Sequence, residues 1–356
     1  MAGPNSRRVS SHEVARLAGV SQSTVSRVFT PGAKVSEKNI KRVMEAADKL
    51  GYRPSFIARS LIQQSTKIIG IVIKNFHNEF YMKALDFFSQ KLHEAGYTTM
   101  IFNINGDQSI EDSLAMALQY QVDGLIITSA TLTSPLVEDC LRFGTPVVLF
   151  NRVSEGLRVN TVSCDNREAG RVVADYLVAT GHKRIAYVAG EERSSTNRDR
   201  EEFFKDELAK HGLSFFAREV GDFGYESGVI AARALFSASK KPDAIFCASD
   251  YMGCGILNTA RQEFGLRIPQ DVSVIGFDDI PMASWPTYHL TTFMQPLKSM
   301  VEMTVDVLLK AVADPEREVV NSLISGYLNI RETVQNRSNQ SEREIIASSP
   351  FFHRAE

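Results

Sequence analysis

From residue 68 onward the chain repeats one pattern, a short continuous apolar run followed by a longer amphipathic segment. The runs are IIGIVI (68–73), YTTMIFN (97–103), DGLIITS (123–129) and PVVLFN (146–151), and then, after CDNREAG (164–170), RIAYVAG (184–190), EVGDF (219–223), DAIFCAS (243–249) and VSVIGF (272–277). IIGIVI, continuously apolar, reads as a strand covered on both faces. Strands that alternate with helices build βαβ units and parallel sheets. The break near residue 164 divides the pattern into two α/β lobes with a cleft between them, and such sheets take ligands at the carboxyl ends of their strands. LTTFMQPL (290–297) carries the chain back to the first lobe, into a helix near 296–312.

The first 66 residues differ in kind. They hold 11 Lys and Arg against 4 Asp and Glu, a net of +7, while the whole chain carries −2. The remainder therefore carries −9, and a basic segment on an acidic body points to a polyanion at one end. Ser11 can cap a helix with Val14, Leu17 and Ala18 inside, stopped by Gly19. Ser21 caps a second helix with Val25, Val28 and Phe29 inside, ended by Pro31 and Gly32. Ser36 starts a third, with Ile40, Val43, Ala47 and Leu50 on one face and Gly51 as its stop. Two short helices joined by so tight a turn must cross steeply, as in a helix-turn-helix. In that arrangement Gln22 and Ser23 suit base edges in a major groove, and Ser21, Thr24, Ser26 and Arg27 suit phosphate oxygens. Pro54 ends the third helix. Ser55 can cap a short segment, Phe56 to Ile62, before a polar linker, and Leu61 there could act as an apolar wedge in a minor groove.

VARLAGVSQSTVSRVF and VSEKNIKRVMEAADKLGYRPSFIARSL, together with VDGLII, DNREAG, GHKRIAYVAG, PDAIFCASDYMGCGIL, GLRIPQDVSVIGFDDIP and LTTFMQP, resemble the LacI/GalR family of bacterial transcription regulators over nearly the whole chain. The resemblance implies a repressor that binds double-stranded DNA as a homodimer on a near-palindromic operator, with a hinge helix that folds on the DNA and inserts Leu61. Asn39, Tyr52, Ser55 and Ala58 complete the candidate DNA-contacting set. It implies a helix-turn-helix headpiece (8–54), a hinge (55–66) and a two-lobed, periplasmic-binding-protein-like α/β effector domain (67–337). Lobe 1 is then about 67–163 plus 294–325, and lobe 2 about 164–293 plus 326–337. A polar tail (338–356) is expected to fray.

The family's pocket positions fall here on Phe80, Tyr81, Thr128, Asn151, Asn197, Arg200, Phe223, Ser249 and Asp278. An aromatic face with a few fixed polar groups suits a small polar ligand, and a carbohydrate effector is the resemblance's implication. Plainer readings stand beside these. The aromatics could be ordinary core, Arg200 could pair with Glu201 or Glu202 on a solvated helix, and Asp278 with Asp279 could cap the following helix. Many family members have Asp at position 151, a Gly at 202 and an Asn at 249, where this chain has Asn151, Glu202 and Ser249. These departures bear on which effector is bound.

Two other function classes are weighed. A transport binding protein would share the lobes but needs export, and MAGPNSRRVSS has no apolar secretory core. No apolar run approaches the ~20 residues of a membrane span. An enzyme would need a motif such as GxSxG, a P-loop, HExxH or GxGxxG, and none is present. His182 reads as part of a turn, and Cys140, Cys164, Cys247 and Cys254 lack metal-ligand spacing and read as reduced core thiols. The sequence thus points to a cytoplasmic regulator with no metal, cofactor or membrane partner.

Overall fold

The computed structural model describes residues 9–29, 32–53, 65–74, 76, 78–104, 110–128, 139–153, 156 and 158–355. Two compact units divide the chain, Met1–Lys67 and Ile68–Glu356. No helix among the described residues is long and apolar enough to cross a membrane.

The first unit is three helices, α1 (Ser11–Ala18), α2 (Gln22–Val28) and α3 (Glu37–Leu50). Ser10, not Ser11, caps α1, in a reciprocal capping box with Glu13 that satisfies two orphan backbone donors. Gly19 ends α1 at φ 64°, a left-handed conformation that glycine adopts without penalty. Ser21 caps α2 by accepting from the Thr24 N–H at 3.2 Å. Val14, Ala15, Ala18, Val25, Val43, Ala46 and Ala47 form the core. Leu17 and Ile40, read as inward-facing, are 52% and 40% exposed. Ala15 and Ala46 are buried in the core instead.

The second unit has two sheets. The first lies in the order β11-β5-β4-β3-β1-β2, formed by β1 (Ile68–Ile73), β2 (Thr98–Asn103), β3 (Gly124–Ile127), β4 (Val147–Phe150), β5 (Asn160–Cys164) and β11 (Asn321–Ile324), all parallel. The helices α4 (Glu79–Glu94) and α5 (Ile110–Gln119) belong to it. So does α10 (Leu297–Ala313), which packs on α4 and on β3 to β5.

The second sheet lies in the order β13-β12-β10-β9-β8-β6-β7. It is built from β6 (Ile185–Ala189), β7 (Ala217–Val220), β8 (Ala244–Cys247), β9 (Ser273–Asp278), β10 (Thr291–Met294), β12 (Tyr327–Ile330) and β13 (Phe352–Arg354). Only the β10–β12 pairing is antiparallel. Its helices are α6 (Asn166–Ala179), α7 (Ser195–Lys210), α8 (Tyr225–Ser237) and α9 (Asp250–Gln262). At Gly170 the helices α6 and α7 come so close that a Cβ would lie 2.8 Å from the Phe204 amide nitrogen.

The C-terminal tail departs from the expectation of a frayed end. Ser341 and Glu344 make a second capping box at the start of α11 (Glu342–Ala347), and β13 then joins the sheet beside β12. Phe352 and Ile345 are buried, and Phe352 packs edge-on against Tyr176 at 5.2 Å between ring centroids. All four cysteine thiols are buried and unbridged.

Candidate DNA-reading surface and effector cleft

In the first unit, Ser21, Gln22, Ser23 and Arg27 are exposed, with Thr24 and Ser26 half-exposed beside them. The Ser21 hydroxyl lies 2.8 Å from those of Ser23 and Thr24, and Gln22 Nε2 donates to Ser11 Oγ at 3.3 Å. This end of α2 is therefore a compact patch of exchangeable donors and acceptors, which a groove edge or a phosphate can engage. Asn39 lies near the start of α3, half-exposed. Tyr52 packs its ring on Phe29, 5.8 Å between centroids. Ser55, Ala58 and Leu61 lie outside the described residues.

In the second unit, a narrow cleft is lined by Asn78, Phe80, Tyr81, Asn151, Arg152, Thr196, Arg200, Phe223, Ala248, Asp278 and Gln295. Residues from both lobes thus meet at the carboxyl ends of β1, β4, β6, β7, β8 and β9. Asn151, Phe223 and Asp278 have φ of 56°, 67° and 119°. Such conformations are uncommon for non-glycine residues and cluster at functional sites. Here each turns the chain sharply as it leaves a strand and brings a side chain to the cleft wall.

Three of the nine sequence-read positions stand behind the wall rather than on it. Thr128 donates its hydroxyl to the Val72 carbonyl at 3.2 Å. Asn197 Oδ1 accepts from the Gly190 N–H at 2.7 Å and from the Tyr187 hydroxyl at 3.1 Å. Ser249 donates to the Phe223 carbonyl at 3.0 Å and caps α9. Each spends its side chain on neighbouring backbone and so shapes the loops that carry the lining residues. Conversely, Asn78, Arg152, Thr196 and Gln295 line the cleft and were not read from sequence. Arg152 directly follows Asn151, and Gln295 sits inside the quoted LTTFMQP, so adjacency to a strand end was the available signal.

Arg200 is 2% exposed and pairs with neither Glu201 nor Glu202. Its Nη1 donates to the Ala248 carbonyl, its Nη2 to Asn166 Oδ1 at 2.7 Å, and its guanidinium lies over the Phe277 ring at 3.2 Å from the centroid. Glu201 instead binds Arg218. Arg152 Nη1 donates to the Asn151 carbonyl at 2.8 Å and to Thr196 Oγ1 at 3.0 Å, joining the end of β4 to the start of α7. Asp278 Oδ1 accepts from Gln295 Nε2 at 2.6 Å. The 3₁₀ turn at Pro281–Ser284 has no side-chain cap, so neither Asp278 nor Asp279 caps it. Burial lifts the Asp278 carboxyl to about 7, against the pull of Arg200 and Gln295. Burial likewise lifts Asp250, held by Thr292 and the Ile280 N–H, to about 8. His182 is remote from this chemistry. It is buried between Ser273 and Thr180, and burial lowers it to about 4, which keeps it neutral.

Residues 12–55 match the model of bacterial regulatory proteins of the lacI family, and residues 174–334 match a periplasmic binding protein-like domain. The HTH-type transcriptional repressor PurR of Photobacterium profundum is 32% identical over 327 residues, covering 91% of this chain and 98% of that protein. The chain belongs to the LacI family. This LacI-family protein is also 34% identical to the ribose operon repressor of Escherichia coli, over 85% of its own length and 93% of the relative's. The crystal structure of the lac repressor dimer bound to operator and the anti-inducer ONPF matches it with a TM-score of 0.84 at 26% identity, covering 92% of this chain and 100% of that one. It is a DNA-binding transcriptional repressor and not an enzyme.

Proposed function

We propose that this repressor acts in the cytoplasm as a homodimer on a near-palindromic operator, and that a hydroxyl-rich small molecule, a sugar or sugar derivative, binds in the cleft and releases it. The observation that carries this reading is a set of three buried polar atoms in the cleft wall. Among the described residues, Asn151 Oδ1, Arg200 Nε and Gln295 Oε1 have no hydrogen-bond partner. Buried polar groups are almost always bonded, so a ligand that fits must supply two donors and one acceptor. Hydroxyl groups do both. Phe80, Tyr81 and Phe223 add flat apolar surface for the C–H side of a ring.

A ligand that favours one arrangement of the lobes shifts operator affinity by the difference in its affinity for the two states, commonly ~1–3 kcal/mol or roughly 5- to 150-fold. The test is titration of a fluorescent operator fragment with the full chain, with and without a panel of sugars, sugar derivatives and nucleobases. A polyol that weakens operator binding at least fivefold, and loses that effect in Asn151→Leu and Gln295→Leu, supports the reading. Control by a ligand without hydroxyls, or by none of the panel, would sink it.

A further inference from the structure

The cleft holds two arginines, and among the described residues neither has a carboxylate within ion-pairing distance. Arg200 uses its nitrogens on a carbonyl and an amide oxygen, both neutral. Arg152 uses its own on a carbonyl and a hydroxyl. The one carboxylate on the wall, Asp278, receives its hydrogen bond from Gln295, and burial raises it to about 7 against the pull of Arg200 and Arg152. Asp250, behind it, is occupied by Thr292 and the Ile280 N–H.

The same protein treats a comparable arginine elsewhere in the ordinary way. Arg331, whose side chain is 10% exposed, is paired with Asp279 at 2.7 Å. Arg218, at 34%, is paired with Glu201 and Glu192. A buried cation is normally matched by an anion, because leaving it unmatched is costly. Buried Arg200 and half-buried Arg152 have no such partner among the described residues, and the wall they share also shows the orphaned Arg200 Nε. The start of α7, which supplies Thr196 to the same wall, adds the positive pole of a helix. Asn151 contributes a neutral amide to this wall and no charge.

We propose that the effector is an anionic polyol, a sugar acid or sugar phosphate, whose carboxylate or phosphate lies between Arg152 and Arg200 while its hydroxyls meet Asn151 and Gln295. This rests on the polyol reading above and narrows it. Charge-assisted hydrogen bonds to such a group are roughly twice as strong as neutral ones, so the charged member of a matched pair binds far more tightly than its neutral parent. Arg152, which touches both lobes, then couples the anion to their closure.

The experiment measures thermal shift and calorimetric affinity of the full chain with matched sets: glucose, gluconate, glucuronate and glucose 6-phosphate; galactose, galactonate and galacturonate; ribose, ribonate and ribose 5-phosphate. Succinate and inorganic phosphate serve as anions without a sugar frame. One acid or phosphate ester is expected to bind at least about 30-fold more tightly than its neutral parent, and which of them does so separates carboxylate from phosphate. In Arg152→Gln that ratio should fall about tenfold or more, and Arg152→Lys should restore part of it. A neutral sugar that binds as tightly as its acid overturns the anionic inference and leaves the polyol reading standing. Succinate or phosphate binding as tightly as the sugar anions would overturn the polyol reading instead. A set without any binder overturns both. Because the matched sets are measured on the unaltered protein, the result does not depend on how well the variants fold.

Discussion

Asp278 leaves β9 at φ 119° and keeps its proton to about pH 7. A carboxyl raised above its unfolded value binds a proton more tightly in the folded chain, so its contribution to stability is largest in acid and is lost as pH rises from about 4 to about 7. Asp278→Asn should therefore gain on the wild type across that window and hold a constant advantage above it. Urea unfolding of both proteins at pH 5, 6, 7 and 8 measures this, and a difference that is flat with pH would contradict it. Arg200 bridges the Ala248 loop and the start of α6. Arg200→Ala should lose the effector response and also about 2–4 kcal/mol of stability, since it orphans two buried acceptors and strips the Phe277 ring of its cation. A melting temperature within a degree of wild type would show that these contacts contribute little. The family resemblance made Arg200, Asn151 and the aromatics legible in the sequence. What it could not show was which strand-end side chain faces inward. The structure puts Asn151, Phe223 and Asp278, all at positive φ, on the wall with Arg152, Thr196 and Gln295, while Thr128, Asn197 and Ser249 bond to backbone behind it.

Elements with strong periodicity were the easiest to read. The βα alternation specifies β1, β3, β4, β6, β8 and β9 because each is apolar on both faces, and the headpiece helices announce themselves through serines at their starts and, in α1 and α3, glycine stops. Elements with one covered face were hidden. The strand β11 alternates in burial, and α11 and β13 each bury a single large side chain, Ile345 and Phe352, in an otherwise polar stretch. Burying one Ile and one Phe stabilises by about 1.5–3 kcal/mol each. A chain ending at Arg337 should therefore melt roughly 5–15 °C lower, with Tyr176 and the β12 edge uncovered. An unchanged melting curve would return the tail to the frayed segment its composition suggests. In the headpiece, Gly19→Ala forces an L side chain into a left-handed turn beside Arg42 and should weaken operator binding through a less stable α1 rather than through a lost contact. Circular dichroism alongside the operator titration distinguishes the two.

Across the whole molecule, charge is divided rather than balanced, with +7 in residues 1–66 and −9 in the rest. Operator affinity should fall steeply with salt, by about 10³-fold or more between 50 and 200 mM for a dimer that neutralises six or more phosphates. A slope near zero would mean that the basic headpiece is not what meets the DNA. The lobes are joined by three short crossings, at residues 164–166, 294–297 and 324–327, so the second lobe sits between segments of the first. This has a consequence for how the protein is made. A ribosome delivers β1 to β5 early, but the helix that covers them, α10, with buried Met300, Val301 and Leu308, and the edge strand β11 emerge only after the second lobe has been synthesised through β10. Until then the nascent first sheet exposes an apolar face and an unpaired edge, the features that invite aggregation. The second lobe receives α6 to β10 in one continuous stretch, and only its edge strands β12 and β13, with α11, come after the first lobe is complete. Both lobes therefore wait for segments made after β10, and the cleft between them is among the last features that synthesis can complete.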